Sequence, residues 1–411
     1  MLALHGAAPT RTRPFTSWPI FGDAEEVRLL RTLRSGNWGR LDGAEVEEFE
    51  HRFAAMHGCR HGIAVVNGTV SLRIALLAAG IGAEDEVIVP PYTFVSTATA
   101  VVEANAVPVF ADIDLRTFNI DPAAIEAAIT PRTKAIIPVH FAGQPADMAA
   151  LMRIADAHGL LALEDAAHAH AASDGHRPAG SLGHIGSFSF QSSKNLTCGE
   201  GGIITTNDDR LAAACRSIQN CGRVEGGIWY EHHRIAGNYR LGEFQGAVLN
   251  CQLDRLEEQT NTRDANGQYL ASRLAALPGL YPQVRSASCT RHAYHLFMLR
   301  LDAREFGAPR DAVIAALEAE GIPCSPGYGF SLPQQPLFRQ RAFGPYLPDA
   351  ALDYGSVRCP QSDRLCRDEA IWLGQELLLG PRQDLDDIAR AFEKVYEHRE
   401  ALNASRVKAE A

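Results

Sequence analysis

Lysine is nearly absent from this chain. Of its 39 lysines and arginines only four are lysine, at positions 134, 194, 394 and 408, so arginine carries positive charge almost everywhere else. Long apolar runs are missing too. No stretch approaches the roughly 18 residues of a membrane span, and the first residues lack a long apolar core, so no signal peptide is expected. There is no basic stripe and the net charge is −10, which argues against whole-chain binding to nucleic acid or an acidic membrane. Nine cysteines are scattered from Cys59 to Cys366 with no C-x-x-C pair among them. That leaves no zinc knuckle or redox pair and fits free thiols in a reducing cytoplasm. The His168-Ala-His170 and His232-His233 pairs have no third ligand at helix spacing, so no metal is expected. Internal repeats, low-complexity segments, G-x-G-x-x-G and Walker sequences are also lacking.

What is present suits an enzyme of two or three domains. Hydrophobic residues make up 46% of the 411 and charged residues 21%, enough for a large core. The first 22 residues carry Pro, Arg and aromatics and read as an extended arm. From Ile63 onward short apolar runs alternate with helical periodicity. Strands are expected near 63–66, 86–89, 107–112, 135–139, 160–165, 185–190 and 202–206. This alternation predicts an α/β domain over 23–262, with a mainly parallel mixed sheet flanked by helices. Two long helices are expected from about Leu241 and about Gln259. The pattern then changes, and 263–411 reads as a smaller α+β domain.

Four features carry chemistry. Lys194 sits in Ser187-Phe-Ser-Phe-Gln-Ser-Ser-Lys194-Asn-Leu-Thr-Cys-Gly-Glu-Gly-Gly202, among small and uncharged neighbours. An arginine could serve a surface role there but not as an amine nucleophile, because only a desolvated lysine loses its proton and forms a Schiff base. Asn67-Gly68-Thr69 follows a strand and opens a helix, whose free N–H groups and dipole suit a phosphate; taken alone it is also an ordinary cap. Asp165 ends an apolar strand, poised over the ligand crevice of an open sheet. Pyridoxal phosphate needs a carboxylate at its ring nitrogen, although a helix cap would look the same. Phe94, in Pro91-Tyr-Thr-Phe94, could stack on a planar ring or belong to the core.

Together these segments resemble the sugar aminotransferases of the DegT/StrS family, which are fold type I pyridoxal phosphate (PLP) enzymes. The resemblance rests on Asn-Gly-Thr, Pro-Tyr-Thr-Phe-Val-Ser-Thr, Glu-Asp-Ala-Ala-His-Ala and Ser-Phe-Gln-Ser-Ser-Lys-Asn-Leu-Thr-Cys-Gly-Glu-Gly-Gly, and covers nearly the whole chain. It implies that Lys194 is the catalytic amine linked to the cofactor and that Asp165 pairs with the ring nitrogen. It places His168 in the same loop, Phe94 on the ring, and Gly68, Thr69 and Ser189 on the phosphate, with Asn67 in the same cofactor-binding turn. Gly237-Asn238-Tyr-Arg240 is similar to a segment whose Asn reaches the phosphate from the partner subunit, which implies a homodimer with shared sites.

Family members that act as dehydratases carry His where this chain has Lys194, so the resemblance favours transamination over dehydration or epimerisation. The amino donor would be L-glutamine or L-glutamate. Leu4-His-Gly-Ala-Ala-Pro-Thr-Arg11, Phe15-Thr-Ser-Trp-Pro19 and Gln191 resemble the branch acting on keto-cyclitols such as scyllo-inosose, in aminoglycoside-type biosynthesis. The stretch from Ser193 to Cys198 is closer to aminotransferases of nucleotide-linked 3- or 4-keto-sugars. Gln191, Tyr230 and Tyr328 are the candidate residues for the acceptor. A regulatory protein that binds PLP or a sugar without turnover is the alternative of another class.

Overall fold

The computed structural model describes residues 1–347 and 353–407, so Lys408 lies outside the described residues. Its centre is a seven-stranded sheet in the order β1-β9-β8-β5-β4-β2-β3. The strands are β1 (His61–Val65), β2 (Glu86–Val89), β3 (Val107–Phe110), β4 (Thr133–Ile136), β5 (Leu161–Asp165), β8 (Ile185–Ser189) and β9 (Gly202–Thr206). Only β9 runs against its neighbours, pairing antiparallel with both β1 and β8. Between β5 and β8 the chain makes a short hairpin, β6 (Ser173–Asp174) and β7 (Arg177–Pro178), which pairs with β11 (Cys289–Arg291).

Both faces of the sheet are covered, and the side chains divide with the strand period of two. Ile63, Val65, Val87, Val89, Leu163 and Ile204 pack toward α3 (Gly68–Ala78), α4 (Ser96–Glu103) and α7 (Asp209–Gln219). The intervening Ala64, Ile88, Ala162 and Ile203 face α2 (Glu45–Met56), α6 (Met148–His158) and α8 (Glu243–Leu274). A run buried on both faces shows no polar alternation, which is why these strands read in sequence as continuous apolar stretches.

Where two long helices were expected there is one, α8, of 32 residues. Leu249, Leu253, Leu256, Thr260, Arg263, Gly267, Leu270 and Leu274 are all buried along it, a stripe at helical spacing that passes through 262–263 without a break. No proline interrupts it. Its two glycines are sites of close approach: a Cβ on Gly246 would lie 2.8 Å from the Val46 backbone nitrogen, and one on Gly267 would enter the Tyr294 ring. The first half of α8 packs with the central sheet. The second half packs with β10 (Leu280–Pro282), β12 (Leu296–Leu301) and β13 (Ala370–Gly374), a three-stranded antiparallel sheet with its own core. The amino-terminal arm runs to the carboxy-terminal helix Arg382–Glu397, where buried Arg11 pairs with Asp384 at 2.7 Å and Asp387 at 2.8 Å.

Candidate active site

The carboxyl ends of β1, β2, β5 and β8 open on the same edge of the sheet, the edge where open α/β sheets bind ligands. A cavity of about 450 Å³ lies there, lined by residues that include Asn67, Gly68, Thr69, Phe94, Asp165, His168, Ser189, Gln191 and Lys194. Nine positions singled out in sequence therefore share one space, although they span 128 residues of chain.

Each position has a local cause. β1 ends at Val65, and Asn67 then caps α3 by accepting the Val70 N–H at 2.9 Å. The first-turn amides at Gly68 and Thr69 have no carbonyl behind them within the helix and carry the positive end of its dipole. Glycine is required at 68 because a Cβ would stand 2.7 Å from the Ser189 Cβ; at Gly202 a Cβ would stand 2.5 Å from the Asn67 carbonyl. The α3 start and the β8 end are thus in backbone-level contact. The Thr69 hydroxyl also meets Ser96 Oγ, at the start of α4, at 2.6 Å. Two helix starts and three hydroxyl groups form a cradle of the kind that holds a phosphate.

Asp165 is buried at the end of β5, where its carboxylate accepts the Thr97 hydroxyl at 2.8 Å and the Ala167 N–H at 3.3 Å. Burial pushes its pKa up, against the opposing pull of those two donors and of Lys194. Lys194 closes a turn, its N–H on the Gln191 carbonyl at 2.8 Å. Burial draws its amine down from 10.5 to about 8, with Asp165 acting in the other direction. His168 is held neutral, well below its ordinary value, by burial and then by Lys194; its Nδ1 is buried without a partner among the described residues. An unpaired buried imidazole nitrogen, a buried carboxylate and a near-neutral amine around one cavity fit a flat, polar, phosphate-bearing cofactor.

The geometry adds residues that sequence reading passed over. Thr93, Ser96, Thr97, Ser193 and Glu200 line the same cavity. Their signal was the run Thr93-Phe-Val-Ser-Thr97, a cluster of hydroxyls at a helix start, together with the Glu200 of Gly-Glu-Gly-Gly. Gln191 lines the cavity, but its amide turns onto its own loop, accepting from Ser193 and donating to Ser192 Oγ at 2.7 Å. Three sequence candidates do not line this cavity. Tyr328 packs edge-on against Trp372, ring centres 4.7 Å apart. Tyr230 is 81% exposed on a separate loop. Asn238 pairs through its backbone with Asn220. No cluster of metal-ligating side chains occurs among the described residues, and none of their helices is long and apolar enough to cross a membrane.

The profile of the DegT/DnrJ/EryC1/StrS aminotransferase family matches residues 21–377. An L-glutamine:2-deoxy-scyllo-inosose aminotransferase from Streptomyces kanamyceticus is 40% identical, over 98% of each chain. A 3-amino-5-hydroxybenzoate synthase from Amycolatopsis mediterranei is 38% identical, over 92% of this chain and 98% of its own. A crystal structure of 3-amino-5-hydroxybenzoic acid synthase superposes with a TM-score of 0.86 at 37% identity, covering 95% of this chain and all of that one.

Proposed function

The chain belongs to the DegT/DnrJ/EryC1/StrS aminotransferase family and is a PLP-dependent aminotransferase of fold type I, and from that premise we propose that it transfers the amino group of L-glutamine to a keto-cyclitol of the scyllo-inosose type. The observation that carries the acceptor is full-length 40% identity to an aminotransferase of that name. The relative that makes 3-amino-5-hydroxybenzoate supports the same chemical class, since its product is also an aminated six-membered carbocycle. Gln191 and Ser193 at the cavity carry uncharged groups of the kind that suit ring hydroxyls once they exchange their bonds within the loop.

The residues present fit the cofactor. Gly68, Thr69 and Ser189 would hold its phosphate beside Asn67, Phe94 would cover the ring, and Asp165 would keep a proton on the ring nitrogen. PLP supplies an electron sink next to the carbon that loses its proton. Lys194 Nζ, neutral above about pH 8, is the base that takes this proton and returns it. His168, neutral, presents its unpaired Nδ1 there. We further infer that Asn238 of the partner subunit completes the phosphate site in a cytoplasmic homodimer. Tyr230 and Tyr328 remain acceptor candidates.

Purified protein, PLP, L-glutamine and 2-deoxy-scyllo-inosose should give an aminated cyclitol detectable by mass spectrometry. Replacing L-glutamine with L-glutamate tests the donor. Amination of a nucleotide-linked 4-keto-sugar with no reaction of the cyclitol would overturn the acceptor and favour the nucleotide-sugar reading.

A further inference from the structure

Arg263 is fully buried near the middle of α8, and its Nε, Nη1 and Nη2 all lack a partner among the described residues. An unpaired guanidinium in the interior is costly, because desolvation of the charge goes uncompensated. Burial draws its pKa down to about 9, and Glu376 is the acid that opposes this. Its guanidinium carbon lies 5.3 Å from the centre of the Trp18 ring, a cation–π distance.

Trp18 and several other side chains hold the Lys194 segment. Trp18 donates its indole N–H to the Ser192 carbonyl at 3.0 Å. Gln375 donates to the Ser193 carbonyl at 3.4 Å, while its Oε1 is buried without a partner. His170 Nε2 lies 2.9 Å from the Ser189 carbonyl, and a carbonyl only accepts, so Nε2 bears the proton and Nδ1 is bare. His295 Nδ1 lies 3.1 Å from Asn195 Oδ1, and the amide of Asn195 donates to the Ala293 carbonyl at 2.7 Å. The arm, the loop after β5 and the segments flanking β12 and β13 thus supply props to residues 189–195, and Arg263 of α8 reaches them through Trp18.

We propose that Arg263 is a positioning residue for Lys194: its unpaired buried guanidinium anchors the Trp18 ring of the arm, and the Trp18 indole N–H holds the Ser192 carbonyl two residues before the lysine. Burial above all holds the His170 and His295 imidazoles well below their ordinary range; His57 and then Lys194 add to it at His170, His168 and then Lys194 and His170 at His295, and Arg263 adds least at each.

The inference rests on Lys194 as the catalytic amine, and the test separates the two. It uses the full-length, PLP-loaded protein and follows the visible band of the lysine-linked cofactor after mixing with L-glutamine or, if that is the donor, L-glutamate. Arg263→Met should keep the band and the half-saturating donor concentration within about twofold, yet slow the maximal rate of band loss about ten- to a hundredfold, as misplacement by a fraction of an ångström does. Arg263→Lys should restore most of that rate. Trp18→Phe keeps the ring but deletes the N–H, and should slow the rate severalfold; it carries the test if Arg263→Met does not fold. A parental rate in Arg263→Met, a loss that Arg263→Lys fails to restore, or a parental rate in Trp18→Phe where that variant carries the test, overturns the proposal. A parent protein without the band overturns the Lys194 assignment itself.

Discussion

At the scale of the residue, the site turns on one lysine and one aspartate. An amine drawn down to about 8 by burial is charged at pH 7 and becomes nucleophilic as pH rises through that value. In the cofactor-free protein, the rate at which Lys194 captures PLP should climb about tenfold per pH unit below 8 and level off above it. A midpoint near 10.5 in stopped-flow absorbance would contradict the buried setting. Asp165 is the charge that holds this amine up, so Asp165→Asn should move the midpoint below 8. The same variant should cut turnover by about a hundredfold or more, since an amide cannot keep a proton on the ring nitrogen. The linkage to stability has a definite sign. A lysine whose folded value is depressed penalises the fold while it is charged, so the penalty is present below about pH 8 and lifts between 8 and 10.5. Cofactor-free Lys194→Met should therefore melt at a higher temperature than the parent at pH 7, with the difference fading toward pH 10.5.

At the scale of the element, two close approaches decide what the helices can do. The Gly68 contact locks the start of α3 to the end of β8. Gly68→Ala must push these apart, and the dissociation constant for PLP in a fluorescence titration should rise about tenfold or more, with the far-ultraviolet spectrum kept. In α8, Gly267→Ala drives a methyl into the buried Tyr294 ring. It should cost about 1–3 kcal/mol in denaturant unfolding, and an unchanged midpoint would mean that the ring moves freely aside. Sequence periodicity predicted helices on both halves of α8 but placed a break between them. Periodicity reports which residues face inward; it does not report that one straight axis serves two cores in turn. The strands were legible for a plainer reason: each is a short apolar run ended by Pro, Gly or a polar cap.

At the scale of the whole molecule, the loop at 223–236 stands away from the cavity with Ile228, Trp229, Tyr230 and Ile235 exposed, and Asn238 follows directly. Such a face suits contact with a second copy, and the proposed homodimer would bring Asn238 of the partner subunit to the phosphate. Complementation checks this. Lys194→Ala and Asn238→Ala should each be nearly inactive alone. Mixed at equal amounts under conditions that exchange subunits, they should recover about a quarter of parental activity, because half the dimers are mixed and each mixed dimer has one intact site. No recovery despite exchange shown by size and mass analysis would place Asn238 outside the neighbouring site.

The sequence by itself determined the kind of chemistry and the order of the parts. A solitary lysine in a small-residue loop, a carboxylate at a strand end and a Gly-Thr helix start are local features, and local features survive reading one residue at a time. Only the tertiary structure decided that nine of those positions surround one cavity, that Thr97 and Ser96 join them, and that Tyr230, Tyr328 and Asn238 do not line it. It also set Arg263 beneath the lysine loop, a residue that in sequence is one arginine among many on a polar-looking helix. Distances between segments far apart in the chain, and the loss of water that shifts Lys194 and isolates Arg263, come from packing, and packing is not written at any single position.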